Sequence, residues 1–110
     1  MSLTDLYRVT KEDYLTLPPL NQSGFSHFFG TKGLNEDGVK RFNGGPFLRL
    51  RQVHGNEIVR VCEGASPVSV MTGDAFMTDR PGILMTVSTA DCLPIVIIDP
   101  DRFAASVIHA

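Results

Sequence analysis

Ser88-Thr89-Ala90-Asp91-Cys92-Leu93-Pro94 sets a cysteine between two strongly apolar runs, Gly82 to Val87 and Leu93 to Ile98. Both runs are rich in Ile, Val, Leu and Met, as strands buried on both faces tend to be. A short polar break carrying Asp91 and Cys92 between two such strands falls at the end of a sheet. Rigid scaffolds commonly present reactive groups there. Two other stretches look built to face the cysteine: Arg51-Gln52-Val53-His54-Gly55 upstream, and Val107-Ile108-His109-Ala110 downstream.

Outward from this centre the chain reads as strand-dominated. Strands are expected over 83–88, 93–98 and 103–109, with a turn at Asp99-Pro100-Asp101 and another at Asp79-Arg80-Pro81-Gly82. Residues 47–53 alternate apolar and polar, the period of a half-buried strand. Gly55-Asn56 then predicts a hairpin returning along 57–61. Gly64 to Pro67 is expected to be loop.

The first third is less regular. Thr10-Lys11-Glu12-Asp13-Tyr14-Leu15 predicts a short helix with Thr10 as its N-cap. Leu17-Pro18-Pro19-Leu20 predicts an extended connection, and Asn21-Gln22-Ser23-Gly24 a turn. A short strand is expected over 27–31, a loop over 35–38 and a helical turn over 39–42, closed by Gly44-Gly45-Pro46. There is no internal repeat or low-complexity segment. The fold class expected is α/β (α+β), a mixed β-sheet layered with helices.

Composition narrows the function. The 110 residues are 43% hydrophobic and 20% charged, with a net charge of −2. That balance is globular and carries no basic patch for nucleic acid or an anionic membrane. No apolar run reaches the roughly 18 residues of a membrane span, and the N-terminus lacks the features of a signal peptide. Cysteines 62 and 92 are therefore expected to be reduced, in a cytoplasmic protein. Residues 1–110 are expected to form a single domain. Phe103 to Ala110 reads as a buried strand with nothing after it, so the chain is expected to be the N-terminal part of a longer domain.

The residues that suggest chemistry are His54, Cys92 and His109. Imidazole and thiolate are preferred zinc ligands, and three protein ligands plus one water is the catalytic arrangement. Their spacing fits no compact zinc finger and suits ligands delivered by separate strand ends. Taken singly, each is as well explained as a buried thiol or a hydrogen-bonded histidine. Asp74 is either an orienting carboxylate behind a ligand histidine or, as the local pattern favours, a turn cap. Asp91 is either an acid/base group or a local cap. Arg49 and Arg51 either bind an anion or face solvent.

Arg-Gln-Val-His-Gly at 51–55, Gly-Asp-Ala-Phe-Met-Thr at 73–78, Thr-Ala-Asp-Cys-Leu-Pro at 89–94, Asp99 and His-Ala at 109–110 occur in one order and at compatible spacing. Together they resemble the YfiH-like family, also called the polyphenol oxidase or laccase-domain family. Gly24-Phe25-Ser26 and Gly30-Thr31-Lys32 resemble a divergent form of its N-terminal region, with Lys32 where arginine is more usual. The resemblance implies a YfiH-like (cysteine-hydrolase-like) fold in a domain about twice this length. It implies a zinc-dependent purine nucleoside enzyme, catalysing phosphorolysis of adenosine, inosine, guanosine or methylthioadenosine, and adenosine deamination.

The resemblance implies zinc at His54, Cys92 and His109; catalysis is expected at Cys92, Asp91 and His54, and substrate binding at Arg51 and Gln52. The implied partners are a purine nucleoside and phosphate, with no nucleic acid or membrane, and room for a homodimer. The arginine expected to meet the anionic part of the substrate lies in a Gly-Trp-Arg-Gly pattern beyond residue 110. The 110 residues are thus not expected to be active alone.

Three alternatives use the same residues. Cys92 as nucleophile with His109 or His54 as base would make a metal-free cysteine hydrolase or amidase. Two histidines, Cys92 and an axial Met77 or Met85 would make a copper site for polyphenol oxidation. A multicopper centre needs more histidines than His27, His54 and His109. The third alternative is an inactive fragment.

Overall fold

The two apolar runs flanking Asp99-Pro100-Asp101 pair with each other. Strand β8 (Pro94–Asp99) and strand β9 (Ala104–His109) form an antiparallel hairpin in which Pro94 faces His109 and Asp99 faces Ala104. The turn is held by Asp99, whose Oδ1 accepts the backbone N–H of Asp101 at 3.1 Å and of Arg102 at 3.2 Å. This is the local bonding that suits Asp to turns. Two more strands complete the sheet, β5 (Ile58–Val61) and β7 (Ala75–Thr78), in the order β5-β7-β9-β8. β5 and β7 run parallel, and β7 is antiparallel to β9.

The computed structural model describes residues 8–11, 13–21, 24–43, 46–62 and 70–110. It divides into two compact units, Met1–Gly45 and Pro46–Ala110. The expected loop from Gly64 to Pro67 lies outside the described residues.

In the second unit the sheet has one core face. Paired residues share a face, so Val59, Phe76, Val107 and Val96 line up on one side and Ile58, Ala75, Ile108 and Ile95 on the other. Val59, Phe76 and Val107 of the first row belong to the core. Phe76 is 0% exposed and Val61 2%, and both pack with Leu48, Leu50 and Met85, with Val59, Ile83, Val87 and Val107 around them. The opposite face is more open, with Ile58, Met77 and Ile97 exposed.

Leu48 and Leu50 point inward while Arg49 and Arg51 are exposed, as the alternation predicts. The predicted hairpin across Gly55-Asn56 does not form. Strand β4 (Leu50–Arg51) pairs in parallel with β6 (Met71–Thr72), and β5 pairs with β7 instead. The reason is that the turn's backbone N–H groups bond to Asp74 rather than to a neighbouring strand.

Residues 83–88 likewise form no continuous strand. Leu48 and Met85 make a single parallel bridge, with Leu48 N–H on Leu84 C=O and Thr86 N–H on Leu48 C=O, both at 2.9 Å. The Thr86 hydroxyl donates to the same Leu48 carbonyl at 2.7 Å, and Ser88 is then taken by a side chain, Gln52. Side-chain bonds replace the ladder, so the segment stays extended without becoming a strand.

In the first unit β1 (Arg8–Val9), β2 (Tyr14–Thr16) and β3 (Phe29–Gly30) form an antiparallel sheet. The predicted helix from Thr10 does not form, because Tyr14 to Thr16 lie in β2. The Thr10 hydroxyl and backbone N–H both donate to Tyr14 C=O, and Asp13 takes a left-handed φ of 65°. The 17–20 stretch is not wholly extended either. It forms the short helix α1 (Pro18–Asn21), because Pro18 occupies the first helical position, where no N–H is needed.

The segment read as loop from Asn35 instead starts a helix, α2 (Glu36–Asn43). Asn35 caps it, its Oδ1 accepting Gly38 N–H at 2.9 Å. Glu36 and Asp37 in the first turn and Lys40 and Arg41 in the last complement the helix dipole. Tyr14, Phe28 and Phe42 pack edge to face with centroids 4.9–5.9 Å apart. Among the described residues no helix is long and apolar enough to cross a membrane.

Candidate metal centre

His54, Cys92 and His109 converge. One ligand atom from each lies within 4.8 Å of the others. Bonds of roughly 2.0–2.3 Å to a single ion would ask only for small side-chain adjustments. His109 comes from the end of β9 on the core face, His54 from the loop after β4, and Cys92 from the polar break before β8. His109 is buried, Cys92 is half-buried and His54 is exposed. The cluster therefore opens to solvent on one side, leaving room for a water or substrate as a further ligand.

Behind the cluster stands Asp74, 3% exposed. Its Oδ1 lies 2.9 Å from His109 Nδ1. An ionised carboxylate only accepts, so Nδ1 carries the proton and Nε2 is the His109 nitrogen left with a free lone pair to act as a ligand. Three consecutive backbone N–H groups also donate to this carboxylate: Val53 and Gly55 to Oδ2 at 3.3 and 2.8 Å, and His54 to Oδ1 at 3.0 Å. Such convergence of successive amides on one anion is a backbone nest. It requires a left-handed residue, and His54 has a φ of 59°.

The Asp74 carboxyl is held down to about 2, first by the His109 hydrogen bond and then by the three amides, against burial, which acts the other way. Asp74 is thus more than the turn cap its local pattern favoured. Its partners lie 19 to 35 residues away in sequence, and no periodicity could reveal them. Gly73 prepares the position, since a Cβ there would meet Val59 Cγ2 at 3.0 Å and Glu57 C=O at 3.1 Å.

The rings of His54 and His109 sit edge to face with centroids 5.0 Å apart. Cys92 is a free thiol, as is Cys62. Asp91 is exposed beside Cys92, and Arg51 is exposed at the end of β4, its carbonyl accepting Gly73 N–H at 3.1 Å. Gln52 spends both ends of its side-chain amide on the backbone of Ser88. Met77 points to the face opposite His109 and so cannot serve as an axial ligand, while Met85 sits in the hydrophobic core.

A fold with this cluster belongs to a known class. Residues 36–110 match the family model described as multi-copper polyphenol oxidoreductase laccase, and the chain belongs to this metal-binding family. Its relatives include the purine nucleoside phosphorylase of Deinococcus radiodurans, 39% identical over 64 residues, which cover 58% of this chain and 24% of that protein. Purine nucleoside phosphorylase LACC1 of Mus musculus is 33% identical over 101 residues, covering 86% of this chain and 23% of that protein.

Among solved structures, YlmD from Geobacillus stearothermophilus superposes with a TM-score of 0.79 at 20% identity, over 96% of this chain and 52% of that one. Bacillus licheniformis YfiH follows at 0.69 and 20% identity, over 94% and 51%. These likenesses establish the expected mixed α/β, YfiH-like fold. The chain spans about half the length of those structures and about a quarter of the first curated relatives.

Proposed function

We propose that the chain is the N-terminal part of a zinc-dependent purine nucleoside enzyme that carries out phosphorolysis and adenosine deamination. The observation that carries this reading is the meeting of His54, Cys92 and His109 in front of Asp74. Two imidazoles and a thiolate suit zinc, and three protein donors with an open side are the pattern of a catalytic site rather than a closed structural one. Bound zinc would bring its water's pKa to about 7 and polarise substrate oxygen.

The chain's own residues supply the rest. Asp74 fixes the His109 tautomer and ring plane. Asp91, exposed and adjacent to Cys92 in sequence, is assigned the acceptance of a proton from water during attack on the adenine C6 and its return to the leaving amine. In phosphorolysis a phosphate oxygen bonds to the ribose anomeric carbon as the bond to the base breaks. Arg51 then contributes positive charge near the anion, and the base departs with its electron pair.

A metal-free cysteine hydrolase is the second reading, favoured by one observation. Cys92, His109 and Asp74 have the order of a nucleophile, a base and its orienting acid. That arrangement gives no role to His54, whose ring is turned against His109 on the same cluster, so the metal reading accounts for more of the geometry.

The test is incubation of the full-length protein with adenosine or inosine, with and without phosphate. Free base plus ribose 1-phosphate only with phosphate, and ammonia from adenosine, support the proposal. No base release and no ammonia would refute it.

A further inference from the structure

We propose that Gln52 is a positioning residue that holds Cys92 at its distance from His54, rather than a residue that binds substrate. The inference rests on the metal reading above. Gln52 Nε2 donates to Ser88 C=O at 2.6 Å, and Ser88 N–H donates to Gln52 Oε1 at 2.7 Å. Both polar ends of the amide are thereby engaged with one residue. The contact continues the parallel pairing begun at Leu48 and Met85, two residues past Thr86 N–H on Leu48 C=O. A side chain stands in for the next backbone step, because β4 has turned to pair with β6.

The consequence for the cluster follows from what lies at each end of the segment carrying Cys92. At Ser88 it is tied by Gln52 to the segment carrying His54. At Leu93 it is tied by paired backbone bonds of 2.8 and 2.9 Å to Ala110, next to His109. Each foot of the arch thus sets the thiol against one histidine. The two histidines are held to each other separately, since Asp74 Oδ1 meets His109 Nδ1 at 2.9 Å and His54 N–H at 3.0 Å. Removing the Gln52 foot should loosen the thiolate while leaving the histidine pair in place.

The test is Co2+ binding by the full-length protein, read by the thiolate-to-cobalt charge-transfer absorbance, for the parent and for Gln52→Ala, Gln52→Met and Gln52→Glu. Gln52→Met keeps the length without the hydrogen bonds, and Gln52→Glu keeps an acceptor for Ser88 N–H without the donor. The expected result is a 10- to 100-fold loss of affinity in Gln52→Ala and Gln52→Met, the range for groups that orient metal ligands. Charge-transfer absorbance per bound ion should fall with it, and Gln52→Glu should lie between these variants and the parent.

Unchanged affinity and absorbance in folded Gln52→Met or Gln52→Glu, with only a raised KM for nucleoside, would overturn the proposal and return Gln52 to substrate binding. Failure of the parent itself to bind Co2+ would overturn the metal reading and this inference together.

Discussion

His54 and His109 are joined through a single oxygen atom: Asp74 Oδ1 accepts from the His109 ring at 2.9 Å and from the His54 backbone at 3.0 Å. One carboxylate therefore fixes the side chain of one candidate ligand and the main chain of the other. Asp74→Asn keeps the shape but replaces a full acceptor with an amide that favours the other His109 tautomer. Zinc affinity, measured by competition with a chromophoric chelator, is expected to fall about 10- to 100-fold.

The same carboxylate predicts an acid limb of stability. Its pKa is lowered from 3.8 to about 2, so the unfolded chain takes up the proton first. The stabilisation is complete above about pH 4 and is lost as pH falls toward 2. Thermal unfolding of the metal-free protein between pH 5 and 2 should show Tm falling through this window. In Asp74→Asn the fall should be smaller, from a lower starting Tm.

The proposed ligand role of the His54 ring can be separated from the conformation of its backbone. Its φ of 59° costs an ordinary residue roughly 1–2 kcal/mol and glycine almost nothing. His54→Gly should lose the metal yet retain metal-free stability to within about 1 kcal/mol. His54→Val should lose the metal and also about 1–2 kcal/mol, because a β-branched residue resists that conformation. Urea titrations of the metal-free proteins separate the two.

The core makes a contrasting pair on one strand. Phe76 is 0% exposed, whereas its neighbour Met77 is 42% exposed on the other face. Phe76→Ala should cost about 3–5 kcal/mol through lost burial and a cavity. Met77→Ala should change stability by about 0.5 kcal/mol or less. Chemical denaturation measures both.

How far the sequence could be read depended on whether the bonds were local. The β8–β9 hairpin was legible because apolar runs flank an Asp-Pro-Asp turn that Asp99 closes by itself. The alternation at Leu48 and Leu50 was legible for the same reason. The hairpin expected at Gly55 failed because Asp74, distant in sequence, captures the amides that a turn would have used. The helix expected at Thr10 failed because Tyr14 finds a strand partner in Gly30. His54, Cys92 and His109 were recognisable as a set by residue type and by family resemblance. The orienting role of Asp74 was only one of two readings, and its local pattern favoured the other, since the partners that decide between them come together only in the folded chain.

Metal content of freshly purified full-length protein, compared with Cys92→Ser and His109→Ala, decides whether the three side chains hold an ion. One zinc per chain is expected in the parent, removable by chelator and largely absent from both variants. A parent without metal, or variants that keep a full complement of zinc, would rule out a zinc site at His54, Cys92 and His109.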